Sequence, residues 1–531
     1  MLELNEKGLL DRTEWTEKGY ILPTFDRQKM IAETLKAPRW VHFGAGNIFR
    51  AFQCNAVQKL LDAGEMDTGV IAVEGFDYEI VEKGYRPNDN YSLLVTLKAD
   101  GSVEKTVIGS IAASCILDSA NEAEFAGLKV VFANPSLQMA SFTITEKGYS
   151  LVNGQGETIP AVAADFANGP DRPESYLGKV CALLYARYRA GAQPIAMVSM
   201  DNCSHNGEKL FAAVSAFADA WGDKGFIAYV NDPGKVSFPW TMIDKITPRP
   251  DASVVSLLKA DDLDGLDPVV TAKHTYIAPF VNAEESEYLV IEDSFPNGRP
   301  PLEKAGLLFT DRETVNRVER MKVTTCLNPL HTALAVFGCL LVYERISDEM
   351  RDDDLCRLIR RIGYDEGLPV VTDPGVIDPK DFIDTVVYVR LPNPFMPDTP
   401  QRIACDTSQK IPIRFGETIK SYIADPDRDP DELDAIPLAI AGWLRYLLGK
   451  DDTGADMAVS PDPLLGELQR ALDGVVLGEP DTADGRLDTL LDDKRLFGVS
   501  LCEAGLDRKV TRYFKAMLAG PGAVRAAIHQ L

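Results

Sequence analysis

The sequence is poor in the residues that metal and disulfide chemistry require. Among 531 residues there are five histidines (42, 205, 274, 331 and 529), and no H-E-x-x-H occurs. Nine cysteines (54, 115, 181, 203, 326, 339, 356, 405 and 502) are scattered singly, odd in number and without a C-x-x-C. Neither a zinc site nor a disulfide framework is expected. The thiols read as reduced and mostly buried, as in a cytoplasmic protein. Long apolar runs are also missing. No window holds 18 uncharged apolar residues, so no membrane span is expected. The start, MLELNEKGLLDRTEW, has acidic residues early and no apolar run behind a basic start, which argues against a secretory leader. Positive charge is in deficit: 55 Lys and Arg stand against 80 Asp and Glu, a net charge of −25. That balance disfavours DNA or RNA as a partner, yet leaves room for a local basic pocket that takes a small anion. G-x-x-x-x-G-K-[ST] and G-x-S-x-G are absent, and Tyr-x-x-x-Lys does not follow a suitable strand. P-loop, α/β-hydrolase and short-chain dehydrogenase chemistries therefore lack their signatures.

What is present is 45% hydrophobic and longer than one core usually holds. Apolar runs alternate with helical patterns through the first part of the chain. RWVHFGAGNIFRAFQ (39–53) passes from a strand through glycines into a helix. GVIAVEG (69–75), QMASFTITEKGY (138–149) and PIAMVSMD (194–201) read as further strands, and ESYLGKVCALLYARYRAG as an amphipathic helix. SLLVTLKADGSVEKTVIGSI (92–111) alternates about Asp100-Gly101 and predicts a hairpin. Strands alternating with helices argue for a parallel, doubly wound sheet. After about residue 310 the pattern becomes mostly helical, which places a domain boundary near 311: an α/β domain over 1–310 and a mainly α-helical domain over 311–531. The acidic stretches DEMRDDDL, ADPDRDPDEL and DDKRLF read as solvated helix ends and loops.

Four segments carry chemistry. In HFGAGNIFRAF, Gly44 and Gly46 follow a strand and open a helix, with Asn47 and Arg50 next on the same turn. Backbone N–H groups at such a helix start can receive a pyrophosphate. Phe49 stands where a third glycine would complete G-x-G-x-x-G, so the motif alone is weak. Glu74 ends the next strand, where a carboxylate can accept from ribose hydroxyls and repel a 2′-phosphate; this favours NAD over NADP, with Asp77 as a competing candidate. SMDNCSHNGEKL (199–210) follows a strand, which puts Asp201, Asn202, His205 and Asn206 at the carboxyl edge of the sheet. FPWTMIDKITP (238–248) sets Asp244 and Lys245 in an apolar segment, where a surface ion pair is the plainer reading. KVTTCLNPLHT (322–332) places Lys322, Asn328 and His331 around Pro329. Reducing a ketone leaves an alkoxide that must be protonated, and a lysine desolvated by burial can do so. An amide can donate to the developing oxyanion, and a histidine can hold substrate or relay a proton. Cys326 beside them is expected to be an inert buried thiol.

In this order the segments resemble the mannitol dehydrogenase family of polyol-specific long-chain dehydrogenases. The resemblance runs from about residue 39 to at least 450, through HFGAGNIFRAFQ, TITEKGY, SMDNCSHNG, FPWTMIDKITP, VIEDSFPNGRPPLEKAG, ERMKVTTCLNPLHTAL and DTSQKIP. It implies a metal-independent, NAD-dependent oxidoreductase with a Rossmann-type N-terminal domain and a mainly α-helical C-terminal domain. By the same resemblance Lys322 is the general acid/base, Asn202 and Asn328 polarise the reacting oxygen, His331 binds substrate, and Asp244, Arg402 and Lys410 lie near it. The length and the CLNPLHT variant are most similar to the fructuronate reductase branch, implying D-fructuronate and D-mannonate as substrates. Mannitol 2-dehydrogenase or tagaturonate reductase activity remains open, and Trp240 replaces an expected asparagine. An NAD-binding epimerase or a non-catalytic nucleotide-binding protein would explain the glycines and Glu74, but not the cluster at 322–331. Oligomeric state stays open as well, a monomer or a small homo-oligomer.

One departure stands at the centre. The family pattern has five steps from lysine to asparagine, and here there are six. In a regular helix an extra residue rotates all that follows by about 100°. A single π turn, or a break at Pro329, would absorb it.

Overall fold

Alternation inside the apolar runs builds a sheet with both faces covered. The computed structural model describes residues 1–249 and 252–531. Six parallel strands, Trp40–Phe43 (β1), Val70–Glu74 (β2), Ile111–Ile116 (β3), Met139–Phe142 (β4), Ile195–Ser199 (β5) and Val236–Ser237 (β6), lie in the order β3-β2-β1-β4-β5-β6. Val41, Phe43, Ile71, Val73, Ala140, Phe142, Ile195 and Met197 enter one core, against Phe132, Leu183 and Phe217. Their neighbours Trp40, Val70, Ala72, Met139, Ala196 and Val198 enter the other, against Phe49, Phe52 and Val57. Because successive side chains point to opposite faces and both faces are buried, the strands read as continuous apolar runs. This is the Rossmann-type arrangement, with its switch point between β1 and β4, where the connections diverge.

The hairpin forms at Ser92–Leu97 and Val103–Ile108, but it belongs to a second sheet. There Tyr20–Ile21 flanks one side and Phe280–Glu284 pairs in parallel with Ser92–Leu97 on the other. Thr241–Asp244 lies in a third sheet, antiparallel to Tyr288–Glu292. The strand expected at 138–149 stops at Phe142. The carboxylate of Asp201 accepts the N–H groups of Ile144 and Thr145, both at 2.9 Å, and draws the chain out of the sheet. Thr145 takes φ +64° there.

The described residues form two compact units, one of residues 1–98 and 102–316, the other of 99–101 and 317–531. The second is mainly helical. A central helical run joins Arg312–Met321, a π turn at Lys322–Cys326 and Asn328–Leu340. That run of 29 residues is long and apolar enough to span a membrane, but 78% of its most apolar stretch is buried inside the protein. Helix Ala435–Tyr446 is buried throughout. Its first N–H groups, with that of Asp434, are received by the buried carboxylate of Glu366 at 2.6–2.8 Å. A carboxylate there satisfies donors that a helix start leaves unpaired. A Cβ on Gly442 would lie 2.5 Å from the ring of Phe337, so the glycine lets Ala435–Tyr446 close onto Asn328–Leu340 and fix it.

Candidate active site

In the N-terminal unit the turn after β1 is built for close approach. Gly44 has φ +102°, and a Cβ on it would lie 2.1 Å from the carbonyl oxygen of Thr143, so no other residue fits. Gly46 differs: an added Cβ would meet no atom within 4 Å. Its lack of a side chain serves neither packing nor a left-handed backbone, which fits a ligand that approaches the turn. A π turn at Phe49–Gln53 then leads into helix Cys54–Asp62. The placement at the switch point and the open face over Gly46 suit the pyrophosphate of a dinucleotide.

Glu74 behaves differently from the sequence expectation of a ribose acceptor. Its carboxylate accepts the N–H of Ala45 at 3.0 Å on one oxygen, and those of Phe76 and Asp77 at 2.7 and 3.1 Å on the other. Burial raises its pKa and these three bonds oppose that shift. Glu74 thus ties the tip of β2 to the glycine turn. Asp77 is buried and accepts the hydroxyl of Thr271 at 2.6 Å. Arg50 is buried too, donating to Ala278 O at 2.8 Å and to the side-chain oxygen of Asn47 at 2.8 Å. It orients Asn47 from beneath the turn.

At the carboxyl end of β5 the motif divides into braces and an exposed amide. Asp201 also accepts the hydroxyl of Tyr149 at 2.5 Å; burial raises its pKa against these bonds. Asn206 bridges to Thr241 through both ends of its amide, at 3.0 Å or less. Asn202 is exposed between them. Asp244 is buried at the end of its strand, and Lys245 pairs with Glu287 at 2.9 Å. His205 stacks on Trp240 with ring centres 4.3 Å apart.

In the C-terminal unit the extra residue is taken up by a π turn. Leu327 donates its N–H to the carbonyl of Lys322, five residues back, at 3.1 Å, and a new α-helix starts at Asn328 with Pro329 in its first turn. Proline is accepted there because that N–H would have no helical partner. Lys322 is buried. His331 has its Nε2 buried without a hydrogen bond, 3.5 Å from a carboxylate oxygen of Asp398. Burial, reinforced by Arg414, Arg390, Arg402 and Lys410, lowers its pKa to about 3, so the imidazole is neutral and the contact is not an ion pair. Arg402 is paired with Asp398. Lys410 donates to the carbonyls of Ile403, at 2.8 Å, and Cys405. Arg414 donates to the hydroxyl of Thr332 at 2.6 Å and to Asn328 O at 3.4 Å. The sequence reading missed Arg390, Asp398 and Arg414. A signal for Arg414 was present: it lies four residues beyond Lys410 on one short helix, Thr407–Arg414, and like charges at that spacing repel unless an anion joins them. Burial lifts the Cys326 thiol to about 12, in line with an inert residue. Among the described residues no His, Cys, Asp or Glu cluster is arranged to hold a metal.

The comparisons with known proteins agree with this architecture. The mannitol dehydrogenase Rossmann domain matches residues 38–304, and the mannitol dehydrogenase C-terminal domain matches residues 314–518. A D-mannonate oxidoreductase of Thermotoga maritima is 50% identical, over 100% of this chain and 99% of the relative. A substrate-free crystal structure of D-sorbitol dehydrogenase superposes with a TM-score of 0.77 at 27% identity, covering 96% of this chain and 97% of the other. Mannitol 2-dehydrogenase of Pseudomonas fluorescens, in ternary complex with NAD and D-mannitol, does so with a TM-score of 0.68 at 26% identity, covering 100% and 99%. The chain belongs to the mannitol dehydrogenase family of oxidoreductases acting on CH–OH groups.

Proposed function

We propose that this oxidoreductase uses NAD to interconvert a keto-sugar acid and its alcohol, with D-fructuronate and D-mannonate as the preferred pair. The observation that carries the choice of an acid is the positive cluster around neutral His331, in a protein whose net charge is −25. Arg402 and Lys410 match positions that polyol-using members of the family share, so the weight of this choice falls on Arg414, with which no carboxylate pairs among the described residues. The full-length likeness to a D-mannonate oxidoreductase supports the same choice.

Bound NAD supplies the hydride chemistry. Gly44, Gly46 and Asn47 would hold its pyrophosphate, positioned by Glu74 and Arg50. The two buried carboxylates at the tip of β2, Glu74 and Asp77, disfavour a 2′-phosphate and so favour NAD over NADP. Lys322 donates the proton to the reduced oxygen and takes it back in the reverse direction. The amides of Asn202 and Asn328 donate to that oxygen as negative charge develops on it. The neutral ring of His331 offers Nε2 to a substrate hydroxyl, and Asp244, Arg402 and Lys410 are assigned to substrate binding. The nine free thiols are in keeping with a reducing, cytoplasmic setting.

The test follows NADH oxidation with D-fructuronate, D-tagaturonate and D-fructose in parallel, and repeats it with Lys322→Ala. We expect preference for one uronate and a loss of about 10²–10⁴-fold in kcat, with NADH binding kept. Activity on D-fructose alone would move the chain to the polyol branch. NADH binding without turnover of any substrate would remove the assignment.

A further inference from the structure

We propose that Arg414 is the carboxylate anchor of this site and the residue that sets its preference for sugar acids over neutral sugars. The inference rests on the reading of the substrate as a keto-sugar acid.

Four cations surround His331, and they are not equivalent. Arg402 is 61% exposed and its charge is already matched by Asp398. Arg390 is buried in the wall. Lys410 is half-buried and bonded to two carbonyls, with its pKa lowered by desolvation and then by Arg414. Arg414 makes both of its hydrogen bonds through one terminal nitrogen, to neutral acceptors. No carboxylate pairs with it among the described residues. Burial alone lowers its pKa, to about 10, which leaves it charged at neutral pH. Arg414 is half-buried, and a partly desolvated cation without a counter-charge is costly and becomes favourable when an anion completes it.

Its geometry suits that anion. The bonds to Thr332 and Asn328 fix the guanidinium against the first turn of helix Asn328–Leu340. Its remaining nitrogens make no hydrogen bond among the described residues, and a planar guanidinium meets a carboxylate through two parallel bonds. The helix that carries Arg414 ends at that residue, so its own carbonyls could have received the charge. The guanidinium turns instead to the neighbouring helix, beside Asn328 and one residue from His331. Lys410, one turn earlier, adds a second positive charge on the same helix.

The test compares Arg414→Met and Arg414→Lys with the wild type on the preferred uronate and on D-fructose. For Arg414→Met we expect KM for the uronate to rise about 100-fold, the scale on which losing one partner of a buried charge pair acts. Its kcat should fall less than tenfold, and kcat/KM for D-fructose should change less than threefold. Arg414→Lys should recover part of the uronate KM. If Arg414→Met does not fold, Arg414→Gln, which can keep the bond to Thr332, is read the same way. Equal losses on both substrates would mean that Arg414 only braces the helix, and an unchanged uronate KM would mean that it lies outside the site; either overturns the proposal. A wild type without preference for uronates would overturn the substrate reading and the anchor together. That outcome appears before any variant is made, so the two failures are distinguishable.

Discussion

At the scale of single residues, two buried histidines set an acid limit on stability. His42 is stacked on Phe49 and bonded to the hydroxyls of Ser141 at 2.6 Å and Thr143 at 2.8 Å. Burial lowers its pKa from 6.5 to about 3, as it does for His331. Between those values the unfolded chain binds a proton that the folded chain refuses, so stability is lost as pH falls from 6.5 towards 3. The unfolding midpoint of the N-terminal unit should therefore fall less steeply with acid in His42→Gln than in the wild type; urea unfolding at several pH values checks this, and parallel slopes would contradict it. Glu366 acts with the opposite sign. Its pKa is raised by burial, so its contribution is present below 4.5 and is lost as pH rises through the folded value.

At the scale of elements, the test falls on the π turn. A regular helix with one residue more would carry Asn328 and His331 around by about 100°. The bond from Leu327 to the carbonyl of Lys322 absorbs that residue locally and leaves the helices on either side in phase. Deleting Val323 should therefore leave a plain α-helix with the flanking residues still in phase, and turnover within about one order of magnitude of wild type. Deleting Ala335, in the uninterrupted helix beyond, should abolish turnover. Steady-state rates of the two deletions check this, and loss of turnover in both would contradict it. The need for a local correction was legible in the sequence, because the spacing from Lys322 to Asn328 and the position of Pro329 are explicit there. The strands β1, β2, β4 and β5 were legible for a similar reason, since a strand buried on both faces must be apolar along its length. What could not be read was where charges go after folding. Glu74 has the spacing of a ribose acceptor, but its partners are three N–H groups that only the folded turn brings together. Arg414 and Asp398 are sixteen positions apart in the chain, and their convergence on His331 depends on how helices pack, which periodicity does not encode.

At the scale of the whole molecule, the chain divides into two compact units, and unfolding should not be two-state. In calorimetry without ligand we expect two overlapping transitions. NADH at a hundred times its dissociation constant should stabilise the unit that holds it by about 2.7 kcal/mol. The N-terminal transition should move and the other should stay. A single transition that shifts as one body would mean that the units unfold together. The second sheet adds a consequence for synthesis. Ser92–Leu97 finds one neighbour in Val103–Ile108 almost at once, but its other neighbour is Phe280–Glu284. While the ribosome translates the intervening stretch, that strand edge has no partner and can recruit a foreign one. Slow translation or a stall before residue 284 should therefore expose the nascent chain to aggregation, and overproduction should profit from chaperones that shield it.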